Sequence, residues 1–126
     1  MSSRYYGLLG APSMSLVGPI HRFSRGTRRV DALAVVTTRA GHATEIAQNM
    51  ELNFDALVVV SGDGLVHEVM NGLAKHATPE KAFCIPIAPI PAGSGNGLSL
   101  NILGIHDGLD PCAAALNVLK GTCSSP

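Results

Sequence analysis

The chain reads as an α/β protein built on a mostly parallel sheet, and three observations carry that reading. Two apolar runs, Ala56-Leu57-Val58-Val59-Val60 and Phe83-Cys84-Ile85-Pro86-Ile87-Ala88-Pro89-Ile90, each end in a glycine-rich turn that opens into a helix-like segment. Apolar runs of this kind suit strands buried on both faces, as in parallel sheets. Strand-like and helix-like segments alternate along the chain, which calls for crossover connections and helical cover on both sheet faces. Composition agrees: 46% hydrophobic and 14% charged over 126 residues suits one domain with a buried core, not a disordered or nucleic-acid-binding chain.

Residues 1–30 show no steady period and are punctuated by Gly7, Gly10, Pro12, Gly18, Pro19 and Gly26, so an irregular head is expected there. Order improves afterwards. Asp31 to Thr37 reads as a strand, and His42 to Leu52 as an amphipathic helix with Ala43, Ile46, Ala47 and Met50 on its apolar face. Ala56 to Val60 is a buried strand, Val66 to Lys75 a helix, Phe83 to Ile90 a proline-interrupted strand, and Ser94 to Leu103 another helix. Pro111 suits a first helical turn with Asp110 as cap, so a last helix runs from Cys112 to Lys120 and stops at Gly121.

Formal net charge is zero, yet Arg4, Arg22, Arg25, Arg28 and Arg29 all precede the first acidic residue, Asp31. The basic head reads as a solvated tail, with an Arg-bearing, acid-free transit segment as the alternative. Cys84, Cys112 and Cys123 are three in number and lack CxxC spacing, and the first two have apolar neighbours. They read as buried thiols of a reducing compartment, placing the chain inside the cell and in the cytoplasm. No apolar run reaches the roughly 20 residues that span a bilayer, so any membrane contact is expected to be peripheral.

The chemistry concentrates in the two glycine turns. Gly62 and Gly64 allow the backbone to approach a ligand closely, and the helix that follows turns its free amides and positive dipole end toward an anion. Asp63 between them would repel bound phosphate unless Mg²⁺ intervened or its task were to take a proton from an attacking hydroxyl. That pattern points to phosphoryl transfer; the plainer reading is an ordinary turn in which Asp63 caps its helix. His67-Glu68 lacks the second histidine of a zinc H-E-x-x-H motif, since position 71 is Asn71, and Gly62-x-Gly64-x-x-His67 departs from the dinucleotide fingerprint at its last position. His21, His76 and His106 read as surface residues, and His42 as structural, beside the loop that ends at Gly41.

Taken whole, Ser61 to Leu73 together with Pro91 to Asn96 resembles the catalytic domain of the diacylglycerol kinase superfamily, in its sphingosine (sphingoid long-chain base) kinase branch. Ser61, Leu65 and His67-Glu68-Val69 are the choices of that branch, and Thr37-Thr38-Arg39-Ala40-Gly41 looks like its second nucleotide-contacting loop. The likeness covers 31–121, with 1–30 an unmatched head and 122–126 a tail. It implies a three-layer α/β/α fold, the N-terminal domain of a two-domain lipid kinase, transferring the γ-phosphate of Mg-ATP to the primary hydroxyl of a sphingoid base. Asp63 would be the general base. Ser61, Gly62 and Gly64 would shape the turn, Glu68 would place the nucleotide, and Gly93, Ser94 and Gly95 would offer amides to phosphate. Thr37, Thr38, Arg39, Ala40 and Gly41 would face the nucleotide. Two departures stand out: the family's first strand with its Asn-Pro-x-Gly-Gly-x-Gly loop has no counterpart in 1–30, and its second, mostly β domain has none after Gly121. A truncated kinase domain is therefore expected, with a non-catalytic nucleotide-binding or interaction module as the alternative. The acceptor lipid and the oligomeric state are not legible.

Overall fold

A computed structural model describes residues 2–10, 23–25 and 28–120. Its sheet has five strands: β1 (Ser2–Leu9), β2 (Phe23–Arg25), β3 (Arg28–Val36), β4 (Ala56–Ser61) and β5 (Ile87–Pro91). They lie in the order β2-β3-β1-β4-β5. Every neighbouring pair is parallel except the short β2 against β3. The helices are α1 (His42–Asn49), α2 (Asp63–Ala74), α3 (Pro79–Ala82), α4 (Gly97–Asp107) and α5 (Pro111–Lys120). This is the expected α/β class with a mostly parallel sheet.

The head departs from expectation. Residues 2–9 form the central strand, pairing Ser2 to Leu9 with Arg29 to Val36 on one side and Tyr5 to Leu9 with Ala56 to Val60 on the other. Tyr5-Tyr6-Gly7-Leu8-Leu9 is an aromatic and apolar run that satisfies its backbone only through residues distant in sequence, and Gly7 disguises it as a break. β3 likewise starts at Arg28 rather than Asp31. Residues 11–22, part of the head in which no counterpart of the first phosphate loop is expected, lie outside the described residues, as do Cys123 and the stop at Gly121.

The core forms between α1, α2 and one sheet face. Leu8, Leu57 and Val59 from the strands meet Ala43 and Ala47 of α1 and Val66, Val69 and Leu73 of α2, all buried. Tyr6 and Phe54 pack ring to ring with centroids 5.2 Å apart, and burial raises the Tyr6 phenol's pKa. α1 and α2 approach closely at Gly72, where a Cβ would stand 2.6 Å from that of Ala47 and collide with the Thr44 carbonyl. On the opposite face Val58 and Val60 are only half-buried, while α4 and α5 pack at β5.

The expected helices His42 to Leu52 and Val66 to Lys75 run instead over His42–Asn49 and Asp63–Ala74, and two further boundaries move for local reasons. The strand expected from Phe83 begins at Ile87, because Phe83, Cys84 and Ile85 donate their amides to Pro79, Lys81 and Ala82 and close α3 as a turn. That turn leaves Cys84 exposed, and Cys112 in the first turn of α5 is exposed too, so the expected burial of these thiols is not observed. The helix expected from Ser94 starts at Gly97 and continues to Asp107 through a break at Gly104, whose φ of 81° only glycine adopts readily. At α5 the expected cap is present: the Cys112 amide donates to Asp110 Oδ1 at 2.8 Å. β5, an edge strand, carries Pro89 and Pro91, residues that block further pairing.

A central β1 makes the head indispensable to the fold. Leu8→Ala is expected to lower the unfolding free energy by about 2 to 5 kcal/mol, the range for emptying a buried leucine site. Denaturant titration measures it; an irregular head would leave stability within about 0.5 kcal/mol of the parent.

Candidate active site

The site grows from a backbone contact. β4 runs out at Ser61 and Gly62 caps α2 in an extended conformation. One strand away, β5 runs out at Pro91 and leads into Gly93-Ser94-Gly95. A Cβ on Gly62 would stand 2.6 Å from the Gly95 carbonyl oxygen, and one on Gly93 would collide with the Gly62 nitrogen. Only glycine at both positions lets the turns touch. Two backbone bonds then join them: the Ala92 amide to the Ser61 carbonyl at 3.3 Å and the Asp63 amide to the Gly95 carbonyl at 2.8 Å.

Asp63 reaches across this contact. Its Oδ2 accepts the Gly97 amide at 2.8 Å and its Oδ1 the Leu98 amide at 3.0 Å. The carboxylate therefore caps α4, a helix other than its own, which neither expected role had specified. Each carboxylate oxygen retains acceptor capacity beyond one such bond. Asn96 braces the second turn, taking the Gly93 amide at 3.2 Å and donating to the Gly93 carbonyl at 2.7 Å. The Gly93 amide, expected to serve phosphate, is thus already engaged. Ser94, Gly95, Ser61, Gly62, Asp63 and Gly64, with Leu65, line an open cleft of about 350 Å³. α2 opens onto it with no side-chain cap, so its first-turn amides and positive end face the cleft.

The loop 37–41 stands at the end of β3, with β1 between it and the Ser61 turn. Thr37 is buried, while Thr38, Arg39 and Ala40 are exposed. Gly41 caps α1 at a φ of 79°. His42 holds this loop: its Nδ1 accepts the Thr38 amide at 3.1 Å, the structural role expected of it. Arg39 forks onto Glu45 at 2.9 and 2.6 Å. The pairing raises the Arg39 pKa and lowers that of Glu45, chiefly through their hydrogen bonds. Glu68 lies outside the cleft lining, on the side of α2 whose backbone meets α1; its carbonyl accepts Thr44 Oγ1 at 3.0 Å. Its carboxylate Oε2 is buried without a hydrogen-bond partner. His67 pairs with Asn71 on the exposed side of α2, and His76, expected on the surface, bridges the Met50 carbonyl and the Thr78 amide.

Two participants were missed in the sequence. Asn96 lies in the second turn, where the sequence gives it no task of its own. Gly10, at the end of β1, directs its amide to the Val60 carbonyl at 3.2 Å, and a Cβ there would stand 2.6 Å from Ser61 Oγ. Its signal was a glycine directly after an apolar pair, Leu8-Leu9, as Gly62 follows β4 at Ser61.

A family model for the diacylglycerol kinase catalytic domain matches residues 24–125. The chain belongs to that family. The match begins earlier and ends later than the expected 31–121. Among its relatives, Sphingoid long-chain bases kinase 1 of Arabidopsis thaliana is 44% identical over 69% of this chain and 11% of its own length. Sphingoid long chain base kinase 4 of Schizosaccharomyces pombe is 44% identical over 72% of this chain and 19% of its own. Human Sphingosine kinase 1 is 48% identical over 54% of this chain and 18% of its own. The chain thus spans less than a fifth of the length of each of these three kinases.

Asp63 as an interhelix cap makes a stability prediction. Asp63→Ala is expected to cost about 0.5 to 2 kcal/mol, the scale of a lost cap, and to speed hydrogen exchange at the Gly97 and Leu98 amides. Asp63→Asn, which keeps one acceptor, is expected to cost less. Unchanged exchange at those two amides in the alanine variant would refute the cap.

Proposed function

We propose that this domain binds Mg-ATP at the carboxyl ends of β1, β3 and β4 and serves transfer of its γ-phosphate to the primary hydroxyl of a sphingoid base or related lipid. The observation that carries this reading is the placement of Asp63, an exposed carboxylate on the cleft wall beside the uncapped end of α2. From β1 the chain moves to β3 on one side and then crosses to β4 and β5 on the other. Open parallel sheets bind ligands outside the strand ends where such a reversal falls.

The residues fit the groups this reading requires. Amides of the first turn of α2, at Gly64 and Leu65, suit a phosphate oxygen. The unpartnered Oε2 of Glu68 suits a hydroxyl donor such as a ribose provides. Among the described residues no cluster of three or more ligating side chains is present, and Mg²⁺ held by one carboxylate, water and substrate phosphates needs none. When bound, Mg²⁺ supplies charge neutralisation for the triphosphate. Asp63 takes the acceptor's hydroxyl proton as that oxygen bonds to the γ-phosphorus and the bond to the β–γ bridging oxygen breaks to release ADP, and Gly95 and Ser94 shape the wall opposite. Contact with membrane, from which such an acceptor comes, is peripheral in this reading; among the described residues no helix is long and apolar enough to cross a bilayer.

A non-catalytic nucleotide-binding module is the second reading, favoured by the engagement of both Asp63 oxygens with α4. An exposed edge left by a missing first strand gives it no support, since β1 lies at the centre of the sheet.

The two readings separate in a chimera. In Schizosaccharomyces pombe sphingoid long chain base kinase 4, the matched segment of 92 residues is replaced by that of this chain, and phosphate transfer to dihydrosphingosine is assayed. Activity is expected, and Asp63→Asn is expected to reduce it by about 10² to 10⁴, the contribution of a general base, with ATP affinity nearly intact. An inactive chimera that folds and still binds ATP would favour the non-catalytic module. Loss of ATP binding in Asp63→Asn would make Asp63 a metal-organising or capping residue and not the base.

A further inference from the structure

The fork between Arg39 and Glu45 lies on the loop assigned to nucleotide, and it has a consequence for binding. Arg39 is the one charged residue between Thr37 and Gly41. Its two terminal nitrogens are both committed, Nη1 to Glu45 Oε1 and Nη2 to Glu45 Oε2. A guanidinium grips carboxylate and phosphate with the same pair of donors, so the two partners exclude one another at that edge. Glu45 lies in the first turn of α1, and the left-handed Gly41 folds the loop back over that turn. The backbone of the loop is held separately, by the Thr38 amide on His42 and by the His42 amide on the Arg39 carbonyl. The guanidinium can therefore change partner while the loop keeps its shape.

We infer that Glu45 is an internal competitor of nucleotide phosphate: it holds Arg39 in a resting position, and binding exchanges the carboxylate for a phosphate oxygen. This rests on the reading that loop 37–41 faces nucleotide. Both side chains are more than half exposed, and water competes for such pairs, so the exchange is easily made. At neutral pH both partners are charged, and the competition is at full strength. Glu45 lowers the affinity of the site and raises its demand for a highly charged ligand, since a triphosphate displaces a carboxylate better than a monophosphate does.

The test is a set of titrations of the 126-residue chain with Mg-ATP, followed by calorimetry and by the amide signals of residues 38–41. Glu45→Gln keeps helix propensity, and a thermal melt of each variant verifies folding. Glu45→Gln is expected to tighten binding by about two- to fivefold, the scale of an exposed ion pair. Arg39→Gln is expected to weaken binding, and adding Glu45→Gln to it is expected to change nothing further. An equal gain from Glu45→Gln in both backgrounds would mean that Glu45 acts through its charge alone, and would overturn the exchange. Weaker binding in Glu45→Gln would overturn it too, by making Glu45 a support that presents Arg39. Absence of binding by the parent chain, together with unmoved signals in loop 38–41, would remove the nucleotide reading itself and the exchange with it.

Discussion

The contact between Gly62 and Gly93 is the constraint from which the rest of the site follows. Two strands end side by side, and the turns that leave them touch backbone to backbone because neither position carries a Cβ. The contact brings two helix N-termini, those of α2 and α4, to the same cleft. Two positive dipole ends so placed disfavour one another unless an anion stands between them. Asp63 is that anion for α4, bonded to two of its first amides. The end of α2 is left uncapped. A single carboxylate thus quiets one helix end and leaves the other facing the cleft.

The central strand gives the site its second half. β1 separates the loop after β3 from the turn after β4, by about two strand spacings of 4.7 to 4.9 Å each. Across that span lie, in order, the Arg39 loop, Gly10 and the Asp63 turn. The core beneath is shared by the same elements: Leu8 of β1, Val59 of β4 and Ala43 of α1 are all fully buried. Packing that fixes the sheet therefore also fixes the spacing of the groups above it.

Legibility in the sequence followed locality. Strand β4, helix α2 and the cap of α5 were readable because their signals lie within a few neighbouring residues: an apolar run, a glycine turn, an aspartate before a proline. β1 was not, since its only advertisement is Tyr5 to Leu9, and what makes it a strand is pairing with residues around 29–36 and 56–60. The exposure of Cys84 has a different origin. Its neighbours are apolar, but the turn that closes α3 directs the thiol outward, its Sγ against the Glu80 carbonyl.

The sequence by itself determined the α/β class, the two glycine turns with Asp63 in the first, and the likeness to a lipid kinase domain, because each rests on residue types at short, fixed spacing. The tertiary structure alone decided that the head supplies the central strand, that Asp63 caps the neighbouring helix, that Asn96 and Gly10 join the site, and that Glu45 occupies Arg39. The first three depend on which distant segments the parallel sheet sets side by side, while the fork of Arg39 onto Glu45, six residues on, rests on the left-handed turn at Gly41. A parallel ladder pairs residues separated by a whole crossover, so no local pattern announces its partners.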